Sequence, residues 1–151
     1  MIVIDIDNVA QVNVVPAQTD FERWATLALK DLPDAEISIR IVSKEESANL
    51  NQTYRHKIGP TNILSFPADI PEIVQSPLLG DLIICAAIIE EEAKAQQKPL
   101  LAHWAHIVIH GILHLLGYDH QGDNDATVME ALEINLLRQL GYDDPYQRNE
   151  E

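Results

Sequence analysis

The chain has 151 residues, enough for one domain that buries about two-thirds of the surface its unfolded form would expose. Its hydrophobic share of 46% and charged share of 23% are ordinary for a globular protein and indicate neither a disordered nor a membrane-embedded chain. Ten basic against 24 acidic residues give a formal net charge of −14, which by itself argues against binding of DNA or RNA.

The first predicted element is a strand in which Ile2, Ile4 and Ile6 alternate with other residues. Asp5 and Asp7 interrupt this apolar start, where a signal peptide would carry positive charge. No apolar run approaches the roughly 20 residues needed to cross a bilayer. We therefore expect a cytoplasmic protein without a membrane partner.

The next predicted elements are a helix over about 20–31, a half-buried strand at 37–41 and a second helix that runs to about residue 54. Each helix is preceded by a capping-box pattern, in which a Ser or Thr is followed three residues later by Glu: Thr19 with Glu22, and Ser43 with Glu46. These patterns predict that the helices begin there.

Gly59 and Pro60 predict a turn before a short strand at 62–66, and the prolines that follow predict an exposed loop. The run from Asp81 to Cys85 predicts a buried strand that leads into a helix, whose charged residues from 90 to 98 we interpret as a solvated face without function. Cys85 is the only cysteine. An internal disulfide and a cysteine-rich zinc finger are thus excluded, and any metal would have to be held by histidines and carboxylates.

A long apolar helix is predicted from Pro99 to Leu116, where Gly117 supplies a left-handed stop, and a last amphipathic helix over about 126–140. Together these elements predict an α+β fold in one domain over 1–151, with a small mixed sheet of about four strands covered by about five helices. A zincin-like metal site is expected on the late helix and the loop after it.

The segment that points to chemistry is HWAHIVIHGILHLLGYDH, over 103–120. His106, His110 and His114 are successively four residues apart, so their imidazoles lie along one stripe of a helix. His110 and His114 can share a metal ion, and His120 can return to the same ion from the loop after Gly117. Three imidazoles leave a fourth position open, which is typical of catalytic zinc.

The alternative is that these are core histidines on a buried helix. Two buried imidazoles a turn apart would each need a partner, because an unpaired buried polar group costs roughly 1 to 3 kcal/mol. His106 is interpreted as an outer-shell or core residue, since one helix rarely directs three imidazoles at one ion. Asp119 either accepts the free N–H of a ligating imidazole or caps the loop.

The spacing of these histidines around Gly117 also matches the metzincin protease frame HExxHxxGxxH, except that Gly111 stands where the protease has Glu. That Glu is the general base for peptide hydrolysis. A metalloprotease-like peptidase, in which another carboxylate replaces the missing Glu, is therefore one alternative function.

The sequence HGILHLLGYDH resembles the signature of the YbeY endoribonuclease family, the metal-dependent rRNA maturation factors. Further segments resemble that family in the same order, over about 36–142: Tyr54-Arg55 with 60–67 (PTNILSFP), 80–84 (GDLII) and 129–133 (MEALE). The resemblance implies that His110, His114 and His120 bind one zinc ion and that Arg55 is needed for RNA cleavage.

A planar guanidinium such as that of Arg55 can hold a phosphate through two hydrogen bonds and stabilise charge on its oxygens. His56 and Lys57 complete a local basic spot that can attract an RNA backbone despite the acidic chain. The resemblance further implies trimming of ribosomal RNA, particularly at the 3′ end of the small-subunit RNA, ribosome quality control, and contacts with small-subunit ribosomal proteins or an assembly GTPase. The remaining alternative is a non-catalytic ribosome-assembly factor that zinc merely stabilises.

Overall fold

The computed structural model describes residues 1–71, 76–118 and 122–146. Within them the predicted α+β architecture is confirmed, with four strands and five helices. In chain order these are β1 (Ile2–Asn8), α1 (Gln18–Ala28), β2 (Ala35–Val42), α2 (Lys44–Arg55), β3 (Ile63–Pro67), β4 (Leu78–Cys85), α3 (Ala86–Ala95), α4 (Leu100–Leu115) and α5 (Asp123–Gln139).

The strands form one mixed sheet in the order β1-β2-β4-β3. β1, β2 and β4 are parallel, whereas β3 pairs antiparallel with β4 and lies at the edge. The register places Ile4 beside Ile37 and Ile39 beside Leu82. Because side chains alternate between the two faces of a strand, these apolar residues share the face that is buried in the core.

Helix α4 is the apolar helix predicted after Pro99, and it packs against α1, α3, α5 and strands β3 and β4. Trp104, Ile109 and Ile112 are almost fully buried along it. Its histidines are therefore held by a helix that the core fixes on several sides. No helix among the described residues combines the length and apolarity needed to span a membrane.

Gly111 allows α4 to approach the sheet closely. A Cβ atom at this position would lie 2.5 Å from Cδ1 of Ile63 and 2.9 Å from Cδ2 of Leu82. Ser65 on β3 also directs its hydroxyl toward the Gly111 carbonyl oxygen, at 3.5 Å. The turn of α4 that bears His110 is thus fixed directly against the edge strand.

Two local predictions fared differently. Ser43 Oγ accepts a hydrogen bond from the backbone N–H of Glu46 at 3.1 Å, as predicted for the start of α2. The Thr19 capping box is wrong, because α1 begins at Gln18 and the Asp20 carboxylate accepts from the backbone N–H of Ala17 at 3.0 Å.

The solvated face predicted for α3 is wrong in part. The Glu92 carboxylate accepts from Asn62 Nδ2 and contacts the buried ring of His103, and Lys98 donates to the Pro145 carbonyl oxygen. Glu90 and Glu91 are exposed, as predicted, and form ion pairs with lysines. The error arises because helical charge patterning does not reveal which residues meet a neighbouring loop.

Candidate functional site

The core of the site is a row of histidines along α4. Successive ring centroids of His106, His110 and His114 are 6.3 and 4.6 Å apart. The rings of His110 and His114 stand at 78° to each other, and their Nε2 atoms are 3.1 Å apart. Two nitrogen ligands of one tetrahedral zinc ion would lie about 3.3 Å apart, given Zn–N distances near 2.05 Å. The spacing of the pair therefore fits a shared metal ion.

Glu133 on α5 forms hydrogen bonds to two histidines of this row, His106 and His110. It is fully buried, at 0% exposure, and its carboxylate accepts hydrogen bonds from three groups: His106 Nε2 at 2.6 Å, His110 Nδ1 at 2.9 Å and the Tyr146 hydroxyl at 2.6 Å. Burial by itself would raise the pKa of Glu133, but these hydrogen bonds lower it to about 2. The carboxylate is therefore ionised at neutral pH.

An ionised carboxylate can only accept hydrogen bonds. The His110 ring must then carry a hydrogen on Nδ1, and its Nε2 atom faces Nε2 of His114. A carboxylate behind a histidine is the usual arrangement that fixes the tautomer and orientation of a metal ligand. Glu133 thus fixes the orientation of the His110 ring.

His106, His110 and Glu133 form a group that can itself hold a metal ion, with one ligand atom from each lying within 4.8 Å of the others. The distances inside this group, 2.6 and 2.9 Å, are those of direct hydrogen bonds. They are shorter than the separation of about 3.3 Å expected between two ligands of one zinc ion. In this structure the three groups are therefore hydrogen-bonded to one another.

Tyr146 adds a further donor to the Glu133 carboxylate, and its ring lies 5.3 Å from that of His106. Burial beside Glu133 raises the pKa of Tyr146, so the hydroxyl remains protonated and keeps donating. His106 Nδ1 is buried and has no hydrogen-bond partner within the described ranges. His106 therefore acts on the site through its contact with Glu133.

Arg55 is the last residue of α2, and His56 ends the helix with a left-handed backbone at φ 57°. The guanidinium donates from Nη2 to the Ser65 carbonyl oxygen at 2.9 Å and lies 5.4 Å from the centroid of the Phe66 ring. Because the Ser65 hydroxyl contacts the carbonyl oxygen of Gly111, one residue of β3 lies between the arginine and the histidine helix.

Of the three remaining predicted site residues, the structure describes only Lys57. Lys57 is exposed in the loop after α2 and forms no ion pair with a described residue. His120 and Asp119 lie outside the described residues, so their roles stay predictions.

Sequence reasoning missed the roles of Glu133 and Tyr146 and the contacts of His103. In the sequence Glu133 belongs to the segment 129–133, and no spacing rule links it to histidines on another helix. His103 is 3% exposed and contacts Glu92 at 3.0 Å, and burial lowers its pKa. It is a core residue of the network that holds Asn62 at the start of β3.

Known proteins resemble this chain along nearly its whole length. The model of the family described as Endoribonuclease YbeY matches residues 5–141. An Endoribonuclease YbeY of Pseudomonas fluorescens is 51% identical over 152 residues, covering 99% of each chain. The solution structure of TM1509 from Thermotoga maritima matches with a TM-score of 0.61 and 26% identity, covering 98% of this chain and 100% of that one.

Proposed function

This chain belongs to the YbeY endoribonuclease family, and we propose that it is a zinc-dependent endonuclease that cuts single-stranded RNA. The observation that carries the proposal is the position of His110 between Glu133 and His114. A buried carboxylate orients one imidazole at Nδ1, and Nε2 of that imidazole faces Nε2 of a second one at 3.1 Å, close to ligand spacing. This arrangement is typical of metal centres rather than of a hydrophobic core.

In the proposal, His110, His114 and His120 hold one zinc ion per chain. When bound, this ion supplies a Lewis acid for polarising a phosphate oxygen or activating a water. Glu133 keeps the His110 ring in the required tautomer, and His106 and Tyr146 keep Glu133 in place through their hydrogen bonds.

Arg55 is the proposed catalytic residue that holds the scissile phosphate. A guanidinium has five N–H donors, of which the structure uses one, from Nη2, on the Ser65 carbonyl oxygen. The other donors have no acceptor within the described parts of the chain and can bind two phosphate oxygens. A cation–π contact with the Phe66 ring further limits the motion of the Arg55 guanidinium. Lys57 adds attraction for the RNA backbone from the neighbouring loop.

The proposed cellular role is maturation of ribosomal RNA in the cytoplasm, in particular at the 3′ end of the small-subunit RNA, together with ribosome quality control. A net charge of −14 opposes long-range attraction to RNA. Ribosomal proteins of the small subunit or an assembly GTPase would then supply the docking that the charge of this protein does not.

The peptidase alternative is disfavoured by the packing of Gly111. A glutamate at this position would have its Cβ 2.5 Å from Ile63 Cδ1 and would enter the sheet rather than the histidine site. The close approach of α4 to β3 therefore explains why residue 111 is glycine, and no role in peptide hydrolysis is needed to explain it. No described contact favours a replacement general base for peptide hydrolysis.

The test is zinc content by elemental mass spectrometry together with cleavage of a single-stranded ribosomal RNA fragment. We expect the wild type to carry about one zinc ion per chain and to cut. His114→Ala should lose both properties, whereas Arg55→Ala should keep the metal and stop cutting. Arg23→Ala, which removes an exposed arginine of α1, serves as the matched control and should behave as wild type.

Absence of zinc from the wild type would overturn the metal site. A wild type that holds zinc but never cuts RNA would instead support the non-catalytic assembly factor. Peptide cleavage that survives Arg55→Ala would support the peptidase.

A further inference from the structure

An aromatic ring stands in solvent beside Arg55. Tyr54, the residue before it on the last turn of α2, is 57% exposed. Its ring centroid lies 5.3 Å from that of Phe66, with the planes at 72°, and the Arg55 guanidinium carbon lies 5.4 Å from the same Phe66 centroid. We call Tyr54 and Phe66 the aromatic platform. Edge-to-face packing on Phe66 holds the Tyr54 ring in one orientation while much of it stays open to solvent.

The surface around the aromatic platform differs from the rest of this acidic protein. Residues 47–68 contain no Asp or Glu, although the chain has 24 acidic residues. Arg55 and Lys57 form no ion pair with a described residue, whereas Lys44 and Lys94 are each paired with a glutamate of α3. Asp81 of β4 is exposed and pairs with Phe66, so it is the acidic neighbour on this face. Arg55 and Lys57 are the cations of this segment that remain available to a polyanion.

The fold places the aromatic platform and the histidines on the two sides of the edge strand β3. The Ser65 side chain contacts α4, so the Phe66 side chain, next along the strand, points to the opposite face of the sheet. Arg55 reaches the Ser65 carbonyl oxygen between them. A strand of RNA that crosses β3 can thus meet the histidines, Arg55 and Tyr54 in that order.

We propose that Tyr54 is a base-stacking residue, on which one unpaired nucleobase lies while Arg55 holds an adjoining phosphate. The proposal rests on the proposed RNA-cutting function and names the part of the substrate that this surface recognises. Every nucleobase has a face that can stack on an aromatic ring, so the contact is tolerant of sequence. In a duplex those faces are covered by neighbouring bases, so the contact also selects single strands.

The first experiment measures affinity for a short fluorescent single-stranded RNA by anisotropy, in the full-length His114→Ala chain so that the RNA stays intact. Tyr54→Leu should weaken binding by roughly 5- to 100-fold, the range found when an aromatic stacking partner is removed. Tyr54→Phe keeps the ring and should bind within about twofold of its parent. Val14→Ala, at another exposed apolar position (69% exposed), is the control and should change nothing.

The second experiment places an abasic nucleotide at each position of the RNA in turn. If Tyr54 stacks on one base, removing that base should abolish the effect of Tyr54→Leu at that position only. Additive losses at every position would overturn the proposal, because they would show a general effect on the protein. Thermal melts followed by circular dichroism check that the Tyr54 variants remain folded.

Cleavage by the zinc-loaded chain separates the two proposals. Tyr54→Leu should raise KM with kcat little changed, while Tyr54→Phe restores the wild-type KM. Normal RNA binding and cutting by Tyr54→Leu would overturn base stacking, leave the proposed function intact and assign the exposed ring to a protein contact instead. Coupling between Tyr54 and one base in a wild type that never cuts would support stacking and refute the proposed function.

Discussion

Replacing Glu133 by Gln removes one negative charge with almost no change of side-chain shape, and we expect it to reduce both stability and zinc affinity. The pKa of Glu133 in the folded protein is about 2, against an ordinary value of 4.5, which corresponds to about 3 kcal/mol of stability at neutral pH. A glutamine amide offers one acceptor oxygen to the three donors that now meet the carboxylate. At least one donor would then face an NH2 group.

We therefore expect Glu133→Gln to lower the free energy of unfolding of the metal-free protein by about 3 kcal/mol and its Tm by roughly 6–12 °C. Zinc affinity should fall by about 10- to 100-fold, because the His110 ring loses the acceptor that fixes its tautomer. Urea unfolding at pH 7 measures the first effect, and competition with a chromophoric chelator measures the second. Glu130→Gln, at an exposed position one turn earlier on α5, is the matched control.

The pH dependence follows from the direction of the pKa change. A carboxyl whose pKa is lowered by folding contributes its full stability above its unfolded pKa and loses it as the pH falls toward the folded value. The stability difference between wild type and Glu133→Gln should thus be complete above about pH 5 and fall to about half by pH 3. A difference below 1 kcal/mol at pH 7, or an unchanged zinc affinity, would refute the role assigned to this carboxylate.

Three other substitutions test the surroundings of the site. Arg55→Lys should keep zinc but lower kcat by about 100- to 1,000-fold, because a lysine cannot replace two-point contact with a phosphate; steady-state RNA cleavage checks this. Gly80→Ala should destabilise the protein by more than about 3 kcal/mol in urea unfolding, because the new Cβ would lie 2.2 Å from a backbone oxygen of β3. Gly141→Ala is the control: it has open space around it and should cost only about 1 to 2 kcal/mol. Glu92→Ala should lower the free energy of unfolding by about 2 to 3 kcal/mol, because Asn62 and His103 lose their acceptor. Glu90→Ala, on the exposed face of the same helix, is the control and should stay within about 0.5 kcal/mol of wild type in the same measurement.

Much of the fold could be predicted because its signals are local. Alternation in strands such as 37–41 identifies both the strand and its buried face, and the Ser43 cap depends on residues three apart. The row formed by His106, His110 and His114 follows in the same way from helical periodicity. Each of these predictions needed only residues close together in the chain.

The contacts that the sequence did not yield depend on how separate elements pack. Which residue of α5 meets the histidines is decided by the crossing of α4 and α5, and periodicity cannot place Glu133 there in preference to its neighbours. Tyr146 reaches the same carboxylate from beyond that helix. Glu92 lies in a run of charged residues that reads as solvated, and only the loop before β3 gives it partners.

The strand order bears on how the protein folds during its synthesis on the ribosome. β4 inserts between β2 and β3, so the sheet can be completed as soon as Cys85 has emerged. Glu133 follows many residues later, a delay of seconds at a synthesis rate of about 5–20 residues per second. During that interval all four strands have been made, but the carboxylate that orients the His110 ring has not. The arrangement of the candidate site is therefore completed after the last strand of the sheet has been synthesised.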